Sequence, residues 1–209
     1  METHLAFEAF DDVARKEMNA VRPDRMVFIG IDLGQRGSHS AIVVVERFEE
    51  WPSDFADVLR GKGAKRRYVV RQAERMALGT PYRDVVARLK QVVERVMATK
   101  GPCVVVVDEG GPGVPVVERM REAGLGCAIL PYTITSGGAS TSSTVSRTEL
   151  LTKLQLMVEC EELEIAATCT HREQLVRELT HLRLTGKASG ETDDLALALA
   201  LACWRGRAR

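Results

Sequence analysis

The sequence predicts an α/β domain in which a mixed sheet, part antiparallel hairpin and part parallel, is flanked by helices. Three observations carry that expectation. Residues 26–34, MVFIGIDLG, form a short β-branched and apolar run that stops at Asp32 and then Gly34, the pattern of a buried strand. Residues 40–48, SAIVVVERF, follow after a short turn and read as a second strand, so the two predict a hairpin. From residue 81 to residue 131 helical and strand-like stretches alternate, which implies parallel strands joined by helices.

Each element has its own local reason. Residues 5–19 set Leu5, Phe7, Phe10, Val13 and Met18 among charged residues, an amphipathic helix that Pro23 breaks. Residues 1–25 are therefore expected to be a helical extension or linker, and residues 26–209 the domain proper. Residues 51–65 carry Pro52, Gly61 and Gly63 and read as irregular, and RRYVVR over 66–71 as a third strand. A helix is expected over 81–99, where Val85, Val86, Leu89, Val92, Val93 and Val96 share one face. Pro81 suits its first turn, and Gly101 with Pro102 ends it. VVVVDEG over 104–110 repeats the pattern of an apolar run ending in acid, here Asp108 and Glu109. A helix over 114–122 and a strand over 127–131 follow.

The stretch 133–146, TITSGGASTSSTVS, is poor in apolar residues and predicts a mobile loop. Beyond it lie a helix over 147–160 with Leu150, Leu151, Leu154 and Met157 on its buried side, a short strand over 163–166 and a helix over 171–182. LALALALACW over 195–204 alternates as a strand would. Ala and Leu are among the best helix formers, however, and Thr192-Asp193-Asp194 is a helix lead-in, so a helix is expected.

Length and composition bound the function. At 209 residues the chain is long enough for one domain with a proper core. Lys+Arg and Asp+Glu balance at 29 each, so net charge does not point to nucleic acid. No apolar run reaches membrane length and the N-terminus lacks a signal-peptide pattern. The five cysteines are scattered and never in a CxxC pair, which argues against a zinc or disulfide framework and for a reducing cytosol.

The chemistry-bearing feature is acidic. Asp32 and Asp108 end two strands, and Asp193 with Asp194 opens the last helix. Alone, a strand-end Asp also suits a turn, and an Asp at a helix start also complements the helix dipole. Together they suggest a divalent-metal centre. Carboxylates without a nearby His or Cys set fit Mg²⁺ or Mn²⁺, and two such ions ~3.5–4 Å apart cleave phosphodiesters. Asp32 would then bridge both ions, Asp108 would complete one site, and Asp193 or Asp194 the other. Crowded carboxylates repel, so without metal at least one should have a raised pKa. Glu109, on the opposite strand face, is a spare candidate.

The segments IGIDLG, VVVDEGGPGVPVVERMREAGL, SRTELLTKLQLMVECEELEIA and TDDLALALALACW, ordered over residues 27–204, resemble the nuclease domain of phage terminase large subunits. The resemblance implies the ribonuclease-H-like fold shared with Holliday-junction resolvases. It implies Asp32, Asp108, Asp193 and Asp194 as metal ligands, and metal-dependent cleavage of concatemeric DNA during packaging. Implied partners are double-stranded DNA, a packaging ATPase and portal components. There are departures. No G-x-x-x-x-G-K-[ST] loop is present, since Gly61-Lys62 and Gly186-Lys187 lack the rest. This leaves an excised domain, a separately encoded nuclease or a module with another role. Where the family often carries an acid shortly after the first strand, this chain reads GQRGSHS, with His39 nearby.

Basic residues supply the DNA candidates. Arg60, Lys62, Lys65, Arg66, Arg67 and Arg71 are concentrated among flexible glycines and suit sequence-independent phosphate binding. Arg147, Lys153 and Lys187 are second candidates. An aromatic fraction of 5% is too sparse for a single-strand stacking platform, so duplex backbone is the expected ligand. Three other readings compete with the endonuclease: a junction-resolving specificity, a non-cleaving binding or assembly module, and an actin-like ATPase, since GIDLG also opens such phosphate hairpins. The last needs a second lobe, for which this chain is too short.

Overall fold

β1 (Met26–Asp32) and β2 (Ala41–Glu50) pair antiparallel from Met26 opposite Arg47 to Asp32 opposite Ala41, the hairpin that two apolar runs and a short turn predict. The computed structural model describes residues 25–34, 37–52, 54–61, 63–111, 113–182 and 193–207. The helix expected over residues 5–19 lies outside them, as do Lys62 and Lys187. Gly34 is needed in the hairpin turn. A Cβ there would stand 2.5 Å from the Ser38 carbonyl oxygen and from the backbone of His39.

The stretch expected to be irregular contains a short helix, α1 (Phe55–Leu59), started by Asp54, whose Oδ1 accepts the Ala56 N–H at 2.8 Å. Side-chain capping made this helix where the apolar pattern was too short to announce it. β3 (Lys65–Arg75) extends four residues beyond the expected RRYVVR, because its charged outer residues still pair through their backbone with β2. α2 (Tyr82–Lys100) buries the six residues that its spacing predicts. Pro81, extended at φ −59° and ψ 140°, stands just before the helix rather than in its first turn.

β4 (Cys103–Asp108) runs parallel to β1, and after α3 (Gly113–Glu122) comes β5 (Ala128–Thr135), parallel to β4. The 133–146 stretch is not one mobile loop. β5 runs on through Thr135, and β6 (Thr144–Ser146) pairs parallel with it. Threonine is β-branched and suits a strand however polar it is. Between the two strands the Thr141 Oγ1 accepts the Ser143 and Thr144 N–H groups, and Ser140 Oγ accepts that of Ser146. The turn is thus tied by its own hydroxyls.

α4 (Arg147–Glu159) buries the four predicted apolar residues, and β7 (Leu163–Ile165) adds to β3 in parallel. α5 (Arg172–Thr180) and α6 (Asp194–Arg207) complete the chain. The strand order β6-β5-β4-β1-β2-β3-β7 puts β1 in the middle. α2 and α3 pack on one face with Ile29, Ile31, Val105 and Val107, and α4, α5 and α6 on the other with Phe28, Val43 and Val106. α6 is buried on every side from Leu195 to Cys203, as a helix that is apolar all round must be. Among the described residues no helix is long and apolar enough to cross a membrane.

Candidate metal centre

The register of two strands and one close helix contact brings the acids to one end of the sheet. Phe28 is level with Val104, Gly30 with Val106 and Ile31 with Val107, so Asp32 and Asp108 end adjacent parallel strands at the same level. Side chains alternate along a strand, so both share the face of Phe28, Gly30, Val104 and Val106, which α6 covers. Glu109 stands one residue past the end of β4 and donates its N–H to the Tyr132 carbonyl at 2.9 Å.

Gly30 determines where α6 lies. A Cβ on it would stand 1.8 Å from the Ala198 carbonyl oxygen and 2.9 Å from the Ala202 nitrogen, so helix and strand backbones touch there. Farther down, a Cβ on Gly206 would lie 3.4 Å from the Phe28 ring. α6 therefore runs antiparallel to β1. Its C-terminal end sits over Phe28, its middle over Gly30, and its first turn, with Asp194, over the Asp32 end. Both acids of that turn are inside the protein, Asp193 at 8% and Asp194 at 1% exposure.

The supports of these acids are specific. Asp108 Oδ1 accepts the Gly110 N–H at 2.9 Å and the Ile134 N–H at 3.2 Å. Burial nonetheless wins over these two bonds and holds the Asp108 carboxyl above its ordinary pKa. A raised carboxyl was expected from crowding, and here the larger cause is desolvation. Asp193 Oδ2 pairs with Arg147 at 2.5 Å. Tyr82 donates to the Gly34 carbonyl at 2.9 Å, and Gly34 donates to Ser40 Oγ at 3.1 Å, which fixes the turn after Asp32. His39 donates Nδ1–H to the Met76 carbonyl at 2.8 Å, next to the start of β2.

A fifth acid, absent from the sequence reading, is Glu178 on α5. It is 7% exposed, and its Oε2 accepts the Ala196 N–H at 3.0 Å, capping the first turn of α6. Oε1 lies 3.5 Å from Arg75. Burial, aided by the charge of Asp194 and opposed by the Ala196 and Leu195 N–H groups and Arg75, pushes Glu178 up to about 7. A signal did exist. Glu178 falls three residues after the buried Leu175, on the apolar stripe of its helix, where an acid needs a reason.

The donor set fits a hard divalent cation. It is all carboxylate, with Arg75 and Arg147 as the bases paired to it, and Asp108 is half-buried. Among the described residues no three or more His, Cys, Asp or Glu side chains converge on one point where an ion could sit.

The basic candidates divide between the two ends of the sheet. Lys65 and Arg66, both exposed, begin β3, whereas Arg75 at its far end is level with Ala41 and thus with Asp32. Ten residues of strand separate the ends by roughly 33 Å. Arg60 is exposed and 3.3 Å from Asp57. Arg67 pairs with Glu50 at 3.3 Å and donates to the Glu161 carbonyl. Arg71 binds the buried Glu46 at 2.6 Å. Lys153 pairs with Glu149 at 3.0 Å and stacks over Trp204, its ammonium 3.8 Å from the ring centre. Arg147, expected as a phosphate contact, sits among the carboxylates.

No protein-family model matches the sequence, and no curated protein matches it. Solved structures do. The large terminase nuclease from thermophilic phage G20c superposes with a TM-score of 0.57 at 23% identity, covering 88% of this chain and 84% of that one. The same nuclease with bound zinc superposes at 0.55 and 25% identity, covering 88% and 83%. The Thermus thermophilus RuvC structure follows at 0.39 and 20% identity, covering 85% and 90%. The chain has the ribonuclease-H-like fold, and phage large terminase nuclease domains are among its structural neighbours.

Proposed function

We propose that the protein is a divalent-metal-dependent DNA endonuclease of the terminase nuclease kind. The observation that supports this reading is the strand register, which ends Asp32 and Asp108 level on adjacent parallel strands, at the end of the sheet where α6 begins with Asp193 and Asp194. Asp32 and Asp108 would hold the ion or ions with Asp194, and Asp193 would serve as adjunct. Mg²⁺ or Mn²⁺, two of them in the full form, would supply an activated water and stabilise the leaving oxygen of a phosphodiester. Arg147 pairs with Asp193 and so sets a positive charge beside the proposed ligands, where it would favour an approaching phosphate. Glu178 and Arg75 hold the first turn of α6, and with it Asp193 and Asp194, in place.

Double-stranded DNA is the proposed substrate, in the finer reading the concatemeric DNA of a phage, cut beside a packaging ATPase and portal in the host cytosol. The exposed Arg60, Lys65 and Arg66 stand roughly 33 Å along the sheet from the carboxylates, close to the ~34 Å turn of a duplex. They suit phosphates one turn from the cut. Lys62 and Lys187 complete the proposed set by sequence, and Arg67, Arg71 and Lys153 serve structure first.

Incubation of supercoiled plasmid with the purified protein tests the reading. Nicking is expected in Mg²⁺ or Mn²⁺, with none in EDTA or with Asp32→Asn. Intact plasmid in every wild-type lane would reject it in favour of a non-cleaving module.

A further inference from the structure

An apolar groove lies at the β7 edge of the sheet. α4 lines it with Leu154 and Val158, β7 with Leu163 and Ile165, and α5 with Val176 and Leu179, and it encloses about 530 Å³. Val158 is 50% exposed and Val176 39%, so two branched apolar side chains face water on its rim. Exposed apolar surface gathered into a concave site marks something that covers it.

We propose that the occupant is the chain's own N-terminal segment, residues 5–18, seated by Phe7, Phe10 and Val13. Twenty-four residues precede Arg25, where the described chain begins. The register gives the reach. Met26 is level with Arg47, Arg47 with Tyr68, and Tyr68 with Leu163 in the groove. Three strand spacings put Leu163 about 14 Å from the point where the chain enters β1. Residues 19–24 span up to about 20 Å when extended, so the groove is within the segment's reach. Phe7, Phe10 and Val13 repeat every three residues among charged ones and share one face of a helix, and a helix with one apolar face needs a groove to bury it. Seated there, the segment clamps α4 to α5, the helices that bring Arg147 and Glu178 to the acids.

Hydrogen-exchange mass spectrometry on the full chain tests this, comparing wild type with Val158→Glu/Val176→Glu and with Phe10→Asp. Both groove positions are at the rim, so the double variant keeps the fold. The proposal predicts slowed exchange of residues 5–18 in wild type. The groove variant should lose it by tenfold or more, and Phe10→Asp should expose peptides 154–165 and 175–182 in turn. Free exchange of residues 5–18 in wild type would overturn it. So would slowed exchange that survives the groove variant, because the seat is then elsewhere. Protection that vanishes on dilution, with a dimer mass in sedimentation, would assign the groove to a second copy and overturn it equally.

Discussion

Gly30→Ala tests the helix–strand contact on which the centre depends. The added Cβ would stand 1.8 Å from the Ala198 carbonyl oxygen, 2.9 Å from its carbon and 2.9 Å from the Ala202 nitrogen. All three are backbone atoms of a helix buried between β1 and the flanking helices, so no side-chain rotation relieves them. The helix must retreat by more than an ångström. Overpacking of a well-packed core costs about 1–3 kcal/mol, and a clash against backbone belongs at or above the upper end, about 3 kcal/mol. For a domain of this size that lowers Tm by roughly 6–12 °C. The retreat also lifts the first turn of α6 from Asp32, and a displacement of that size at a reacting centre costs on the order of 10² in rate. Urea denaturation gives the stability, and plasmid nicking by the remaining folded protein gives the rate. Gly63→Ala is the control, since nothing lies within 4 Å of its Cβ position. A Gly30→Ala protein as stable and as active as wild type would refute the packing of α6 on β1.

The remaining predictions concern charge. Glu46 is buried with Arg25, Arg71 and Lys100 around it. Burial pushes its carboxyl up, but the Arg71 hydrogen bond and the three cations win and hold it below 4.5. Its contribution is therefore present above pH 4.5 and lost as pH falls through the lowered value. Glu46→Gln should flatten the acid limb of a stability–pH curve measured by urea denaturation and cost about 2 kcal/mol at pH 7, since the cations are partly solvated. Glu178 has the opposite sign. Raised to about 7, it keeps its proton in the fold after the unfolded chain has lost it, so stability in EDTA should fall between pH 4.5 and about 7. Glu178→Gln keeps the acceptor for Ala196 and should remove that slope; an unchanged slope would reject the assignment. Arg147→Ala should slow cleavage by tenfold or more in a nicking time course and also lower the urea midpoint, because it removes the ion pair of the buried Asp193. Lys65→Ala/Arg66→Ala should weaken duplex binding and lower its salt slope without slowing cleavage at saturating DNA.

What the sequence made legible follows from periodicity. β1, β2, β4, α2 and α4 bury strong apolar runs, and their buried residues were readable one by one. Where polar atoms shape the chain, the pattern was silent. Asp54 starts α1, hydroxyls tie the turn between β5 and β6, and backbone pairing carries the far end of β3, Gln72 to Arg75. The acids at the strand ends were visible as residues, but their meeting depends on register and on Gly30, which is tertiary information. Arg147 read as a phosphate contact because its partner Asp193 is 46 residues away in sequence. Glu178 was overlooked because an acid on a short helix draws attention only once α6 is seen to start on it.

The central claim is that Asp32, Asp108 and Asp194 act as one metal-dependent centre. The most direct test is a cleavage time course in Mn²⁺ for Asp32→Asn, Asp194→Asn and the double variant. Residues acting as a unit lose most of the rate in either single variant, and the double variant then loses little more. That non-additivity is the predicted result. Independent, multiplying losses, or a single variant that cleaves like wild type, would contradict the account.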